Sequence, residues 1–446
     1  MEGTAKQKRL VILGGGESGI GAAVLGKVKG MDVFLSDCGK IAPRYLEALD
    51  RYGIAYEQGH HTPELILNAD EVVKSPGVPP TAPLVQELMK RNIPVISEIE
   101  LAGRYTDAKM VCITGSNGKT TTTMLIYHIL REAGVNAGLA GNVGRSLAWQ
   151  VAEDKHDVYV VELSSFQLEN MYDFRANIAV LMNISPDHLD RYDYKMERYV
   201  DAKLRIVRNM RPCDTFIHWA DDPVVMARDP RALTPAADRL FAIAAAPGLA
   251  ACFSDGSLML DGKPLMPEAD LSLPGEHNRL NSMAAALAAE SMGASREAIA
   301  EALATFAPVE HRLEPAGTVD GVRWINDSKA TNVNSCYYAL GAMTTPTVLI
   351  LGGKDKGNDY SEILPLVREK VKAIVAMGLH NEKIVDFFSP YVPVVSTASL
   401  ADAVAACRSL AAAGDTVLLS PCCASFDLFT SYEDRGRRFK DAVKNL

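Results

Sequence analysis

The chain has 446 residues, 48% hydrophobic and 23% charged, with a formal net charge of −9. That length predicts about three domains, and the composition is globular, with no low-complexity tract that would indicate disorder. The acidic balance excludes the basic footprint needed for nucleic acid and disfavours an anionic membrane surface.

The eight cysteines are scattered apart from Cys422-Cys423, and no Cys-x-x-Cys pair suggests zinc or a redox dithiol. A reduced, cytoplasmic setting is expected. The polar, basic start (Met1 to Leu10) is followed by no signal-type apolar run, and no stretch reaches membrane-spanning length, so no membrane insertion is expected.

In chain order, an apolar strand (Leu10 to Leu13) runs into Gly14-Gly15-Gly16-Glu17-Ser18-Gly19, then a helix, then a strand (Asp32 to Leu35) ending at Asp37. Gly14, Gly16 and Gly19 satisfy the dinucleotide-binding pattern, with an acidic residue about twenty positions on. Taken alone, this is equally readable as a plain turn. A strand over Glu71 to Lys74 ends in the turn-forming run Ser75-Pro76-Gly77-Val78-Pro79.

The run Met110 to Ile113 predicts a strand and Thr121 to Leu130 a helix, with Thr114-Gly115-Ser116-Asn117-Gly118-Lys119-Thr120 between them. This is the setting of a phosphate-binding loop. Glycines let backbone N–H groups close around phosphate oxygens, Lys119 supplies a point charge, and the Thr120 hydroxyl can ligate magnesium. The commoner loop has a glycine where Ile113 stands, so this is a shorter variant. The alternative is a glycine-rich turn capping an ordinary helix.

Two further strand signatures, Val158 to Ser165 and Ile178 to Asp190, carry Glu162, Ser164, Asp187 and His188 at their polar ends, where ligands collect in parallel α/β sheets. A helix-rich stretch (Asn278 to Phe306) precedes strands at Val322 to Ile325, Val348 to Leu351, Ala373 to Met377 and Val417 to Leu419, alternating with helical runs. The expected fold class is α/β with a Rossmann-like N-terminal domain (1–100), a P-loop-type central domain with a mostly parallel sheet (101–308) and a Rossmann-like C-terminal domain (309–446).

The runs Thr114 to Thr120, Glu162-Leu163-Ser164-Ser165-Phe166-Gln167-Leu168, Asn183 to Tyr192 and Gly275-Glu276-His277-Asn278 resemble the Mur ligases of peptidoglycan precursor synthesis, and the resemblance spans nearly the whole chain. Ile325 to Asn332 and Leu419 to Asp427 most resemble the member that adds D-glutamate to UDP-N-acetylmuramoyl-L-alanine. The resemblance implies an ATP-dependent enzyme that phosphorylates the acceptor carboxylate, giving an acyl phosphate that the amino group of D-glutamate attacks. It also implies a cytoplasmic monomer acting on small molecules.

It further implies roles for residues of this chain. Lys119, Glu162, His188 and Lys203 are the expected catalytic set. Thr120, Glu162 and His188 are expected around two magnesium ions, joined by Lys203 if it carries a carbamate derived from carbon dioxide. On sequence alone Lys203 reads as a surface helix lysine and His188 as a turn histidine. ATP is expected at Gly115, Ser116, Asn117, Gly118, Lys119, Thr120, Thr121, Asn278, Asn281, Arg312 and Asp327, although Asn278 could simply cap a helix and Arg312 could form a surface ion pair. The UDP substrate is expected at Glu17, Ser18, Asp37, Gly77, Asn142 and Ser164. D-Glutamate is expected at Thr331, Lys356, Ser425, Phe426 and Tyr432, with Lys356 preferred over Lys354 from the Gly357-Asn358-Asp359-Tyr360 that follows; Lys356 could instead be a solvated loop lysine, and Ser425 and Tyr432 packing or capping residues. Two departures stand out: Ser146 where family members often have proline, and Cys38-Gly39 where they have a Thr-Arg pair. Competing readings are a superfamily ligase with another amino acid or a folate acceptor, a non-catalytic nucleotide-binding protein, and a dehydrogenase, which leaves the phosphate loop unexplained.

Overall fold

The computed structural model describes residues 7–307 and 310–446, so the expected boundary between residues 308 and 309 lies outside the described residues, as does most of the basic N-terminal run. Three sheets organise the chain. The first runs β3-β2-β1-β4-β5 and is wholly parallel, built from β1 (Arg9–Leu13), β2 (Asp32–Asp37), β3 (Ala55–Gln58), β4 (Glu71–Lys74) and β5 (Val95–Ile96). Strands β1 and β4 pair directly, and the chain leaves β1 toward β2 on the opposite side. The loops after β1 and β4 therefore flank a topological switch point.

The second sheet has the order β14-β13-β12-β11-β10-β9-β6-β8-β7. Its parallel part comprises β6 (Lys109–Thr114), β7 (Ala137–Gly141), β8 (Val158–Glu162), β9 (Ile178–Leu181), β10 (Thr215–Trp219), β11 (Ala237–Ala244) and β12 (Ala251–Ser254). The antiparallel extension through β13 (Ser257–Leu260) and β14 (Lys263–Pro267) was not legible as such in the sequence. The third sheet, β15-β16-β20-β17-β18-β19, contains β15 (Glu314–Val319), β16 (Val322–Asn326), β17 (Thr347–Gly352), β18 (Val371–Met377), β19 (Val394–Thr397) and β20 (Thr416–Cys422); only the β15–β16 pair is antiparallel.

Fully buried parallel strands need apolar residues on both faces. In β17, Leu349 and Leu351 enter one hydrophobic cluster with Ile374 and Phe388, while Val348 and Ile350 enter another with Trp324 and Phe439. The alternation follows from the two-residue period of a strand. Such burial stabilises by about 1.5–3 kcal/mol per large aliphatic side chain.

The chain forms two compact units. One runs up to Ile184 and adds Glu197–Leu271 and Leu280–Thr305; it holds the first two sheets. The other comprises Ser185–Met196, Ser272–Arg279 and Phe306–Leu446 and holds the third. The helix-rich stretch expected over Asn278 to Phe306 comprises two helices, Glu276–Ser291 and Arg296–Thr305, separated by a turn in which Gly293 adopts φ of 90°. The two later strand signatures stop at Glu162 and Leu181, because Ser164 caps a short helix and residues 182–188 leave the sheet.

Candidate active site

The phosphate loop leaves β6 and enters the helix Lys119–Glu132. Gly118, its N-cap, has φ of 81°, and a Cβ there would come 2.5 Å from Asn281 Oδ1, so both backbone conformation and space require glycine. Asn183, just beyond β9, braces the loop from beneath. Its carbonyl accepts from Ser116 N at 2.8 Å, its Oδ1 from Asn117 N at 2.9 Å, and its Nδ2 donates to Asn117 O at 3.1 Å.

Lys119 and Lys203 converge on this loop. Lys119 Nζ donates to Gly115 O at 2.7 Å and Ser116 O at 2.8 Å, and Lys203 Nζ donates to Gly115 O at 2.7 Å. The surface reading of Lys203 is therefore wrong: the side chain is 2% exposed and lies over the Tyr199 ring, whose hydroxyl meets Ser116 Oγ at 3.0 Å. Helical periodicity could have put Lys203 on the same face as Tyr199, four positions earlier; the resemblance alone assigned it a role.

Glu162 ends β8 opposite Ile113 of β6, which sets it beside the start of the loop. The Leu163 N–H donates to Ile113 O at 2.8 Å, and Thr114 Oγ1 donates to Leu163 O at 2.8 Å. One Glu162 oxygen accepts from Asn142 Nδ2 at 2.7 Å, while buried Oε2 has no hydrogen-bond partner. A carboxylate oxygen kept from water without a donor suits a divalent cation. Thr120, also buried, sits at the second helical position, whereas Thr121 Oγ1 is buried and without a partner. Asn281 is tied to the phosphate-loop helix by Thr122 Oγ1 at 3.2 Å; Asn278 Nδ2 donates to Pro274 O at 2.8 Å.

At the first sheet's switch point a cavity of about 510 Å³ is lined by Glu17, Ser18, Pro76, Asn142, Arg145 and Gln167, with Arg44 and Tyr45 beside them. The structure thus brings together Glu17, Ser18 and Asn142. Asp37, Gly77 and Ser164 are not among the lining residues. Asp37 instead accepts from Gly15 N at 2.5 Å and Gly39 N at 2.6 Å, fixing the turn after β2, and Ser164 caps the helix Ser165–Leu168. Arg44, Tyr45 and Arg145 lie on helices or loops with no pattern of their own, and Gln167, inside the run Glu162 to Leu168, was given no role.

The departure at Ser146 has a physical account. Its N–H donates to Glu17 Oε1 at 3.1 Å, its Oγ donates to Glu98 Oε1 at 2.6 Å, and it caps the helix Leu147–Glu153. Proline lacks both groups. Glu98 also accepts from Ala148 N at 2.6 Å, yet burial raises its carboxyl from 4.5 to about 7 despite those donors. A folded-state value above the unfolded one makes stability complete below about 4.5 and lost as pH rises through about 7. The span corresponds to about 3 kcal/mol. Glu98→Gln should flatten this decline. The check is the urea unfolding midpoint of both proteins across that range, and parallel slopes would refute the assignment.

In the second unit, a cavity of about 290 Å³ is lined by Asp187, His188, Tyr194, Asn332, Lys356 and Asn358, among others. Lys356 is 11% exposed, so it is not a solvated loop lysine; its Nζ meets Asp187 Oδ1 at 2.6 Å. His188 has φ of 52° and its Nε2 lies 3.7 Å from Asp187 Oδ2. Thr331, Ser425, Phe426 and Tyr432 do not line this cavity. Ser425 is buried and Phe426 is 69% exposed, while the Tyr432 hydroxyl accepts from Lys329 Nζ at 3.3 Å.

Asp327 is buried, accepting from Ser420 Oγ at 2.8 Å and Leu313 N at 3.3 Å; desolvation pushes its carboxyl up to about 7, partly opposed by Arg312. Arg312 is no surface ion pair: its Nε is buried and without a partner. Arg435, which the sequence did not single out, is wholly buried. It donates from Nε to Ser328 Oγ at 2.9 Å and from Nη2 to Ser328 O at 2.8 Å and Cys423 O at 3.2 Å, locking together the loops that carry Asp327 and Ser425. Among the described residues no helix is long and apolar enough to cross a membrane.

Family models match almost end to end: a Mur ligase MurD-like N-terminal domain over 8–97, a Mur ligase middle domain over 113–289 and a Mur ligase glutamate ligase domain over 311–423. The chain is 59% identical over 444 residues to the UDP-N-acetylmuramoylalanine–D-glutamate ligase of Bacteroides thetaiotaomicron, covering 98% of this chain and 100% of the relative. It is 54% identical to the Porphyromonas gingivalis protein of the same name, covering 98% of each. Among solved structures, the UDP-N-acetylmuramate-alanine ligase of Thermotoga maritima matches with TM-score 0.64 at 19% identity, over 98% of this chain and 99% of that one. Mycobacterium tuberculosis folylpolyglutamate synthase matches with TM-score 0.60 at 15% identity, over 77% and 92%. Those two likenesses share the fold and do not choose between acceptors; the full-length relatives do. The chain belongs to the Mur ligase family, among the UDP-N-acetylmuramoylalanine–D-glutamate ligases.

Proposed function

We propose that this chain joins D-glutamate to UDP-N-acetylmuramoyl-L-alanine with cleavage of ATP to ADP and phosphate, as a cytoplasmic step of peptidoglycan precursor synthesis. The observation that carries the proposal is the convergence of Lys119 and Lys203 on Gly115, beside a buried Glu162 with an unpartnered oxygen, in a chain 59% identical to a relative of that name.

The chemistry explains why such a site is needed. A carboxylate and the γ-phosphate are both anions, so their approach depends on fixed positive charge and aligned donors. The loop, held by Asn183 at the Ser116 and Asn117 N–H groups, would grip the phosphates through N–H groups at the start of the helix that follows, and Lys119 would place its ammonium against them. The L-alanyl carboxylate oxygen attacks the γ-phosphorus and ADP leaves. The D-glutamate ammonium gives up a proton to solvent, its free amine adds to the acyl carbon, and the tetrahedral adduct expels inorganic phosphate with the electron pair of the acyl C–O bond while the nitrogen loses its remaining extra proton to solvent.

Thr120, Glu162 and His188 are the residues proposed for two magnesium ions, which would supply countercharge to the phosphates. A carbamate on Lys203 would turn a buried cation into an anion suited to that metal-rich surround. Asn278, Asn281, Arg312 and Asp327 are assigned to ATP, the cavity at Glu17, Ser18 and Asn142 to the uridine diphosphate part, and Thr331, Lys356, Ser425, Phe426 and Tyr432 to the amino acid. Three domains are proposed, 1–100, 101–308 and 309–446, a division that the presence of three separate sheets supports, with a monomer as the proposed working state.

Phosphate release should be measured with magnesium, ATP and UDP-N-acetylmuramoyl-L-alanine, adding D-glutamate, L-glutamate, L-lysine or meso-diaminopimelate separately. Turnover is expected with D-glutamate alone. Turnover with another amino acid would keep the ligase and move the specificity, and silence throughout would overturn the assignment.

A further inference from the structure

The Lys356–Asp187 pair is buried on both sides, with side chains 11% and 8% exposed. Asp187 is oriented by a second donor, Asn332 Nδ2 at 3.2 Å. That amide cannot turn over, because its Oδ1 is engaged by Ser335 N at 2.8 Å as the cap of the helix Val333–Gly341. A carboxylate and an ammonium thus face each other across one wall of a 290 Å³ cavity large enough for an amino acid.

Separating a buried ion pair leaves two uncompensated charges unless each finds a new partner. A ligand carrying only carboxylates can take Lys356 but brings no cation for Asp187 in exchange. A zwitterionic amino acid carries the same two charges as the pair, so its carboxylate can take Lys356 while its ammonium takes Asp187. Resting on the assignment of Lys356 to the amino-acid site, we propose that Asp187 is the binding residue for the ammonium group of the incoming amino acid and, before that amino acid arrives, stands in for its carboxylate at Lys356. The pair then acts as a filter that admits α-amino acids and rejects simple dicarboxylates.

The test compares D-glutamate with glutarate, the same chain of carbons and carboxylates without the amino group, on the full-length wild type and Asp187→Asn. Loss of a desolvated charge partner should raise KM for D-glutamate by about tenfold or more, while KM for ATP stays put. Inhibition by glutarate, competitive with D-glutamate, should be unchanged or tighter in the variant, because glutarate has no ammonium for Asp187 to bind and need not then compete with Asp187 for Lys356. Equal shifts for both ligands, or no shift for either, would overturn the proposal. If the variant does not turn over, calorimetric titration of the two ligands reads the same ratio. Lys356→Met separates the two assignments: unchanged binding of both ligands there would remove the amino-acid site itself, whereas weakened binding there with no change in the D-glutamate to glutarate ratio in Asp187→Asn would remove only the role of Asp187.

Discussion

Replacing Lys119 by alanine should lower phosphate release by about a thousandfold or more, the scale on which removal of a principal charge acts in phosphoryl transfer. Its far-ultraviolet circular dichroism should match the wild type. The ammonium donates to the carbonyls of Gly115 and Ser116, so it shapes the loop, and in the proposed reaction it is the charge that meets the phosphates. Because Asn183 holds the same loop through three hydrogen bonds of its own, the backbone should survive the substitution. Lys119→Arg is the informative partner. It restores charge but not the compact point geometry that a short loop closes around, so it should recover only a small part of the activity. Wild-type turnover in Lys119→Ala would remove the loop from the reaction.

The loop was legible because its chemistry is local: glycines, a lysine and a threonine between a strand and a helix. The strands of the three sheets were legible for a similar reason, since fully buried parallel strands read as short apolar runs. What periodicity could not reach was set by tertiary contact. Asp37 has the spacing of a ribose partner, but in this fold its oxygens are engaged by Gly15 and Gly39, and the cavity wall is formed instead by Arg44, Tyr45 and Arg145. From the sequence Ser146 stands out only as a departure from proline; its role depends on Glu17 and Glu98, each distant in sequence. Arg435 carries no motif, and only the folded chain shows it joining the loops at Ser328 and Cys423. The antiparallel strands after β12 were hidden by short, mixed segments whose pairing depends on register.

Replacing Lys203 by alanine should reduce turnover by about a hundredfold or more, and the pattern of chemical rescue distinguishes what the side chain carries. Lys203 is 2% exposed, with its Nζ 2.7 Å from the Gly115 carbonyl, and a lysine so buried has to be held by polar partners. An amine reacts with carbon dioxide in its neutral form, with loss of a proton. The product, an N-carboxylate, is an anion at the same place. If the working form is that carbamate, the space left by Lys203→Ala should accept acetate or propionate, and these should restore part of the activity in a saturable way. Short alkylammonium ions should not. Rescue by the ammonium ions alone would instead assign Lys203 a cationic role beside Lys119, and full activity without any additive would refute a catalytic part for it. Tyr199 provides an internal control: its ring lies under Lys203 and its hydroxyl meets Ser116, so Tyr199→Phe removes that hydrogen bond while keeping the ring. That variant should retain most turnover and need no carboxylate.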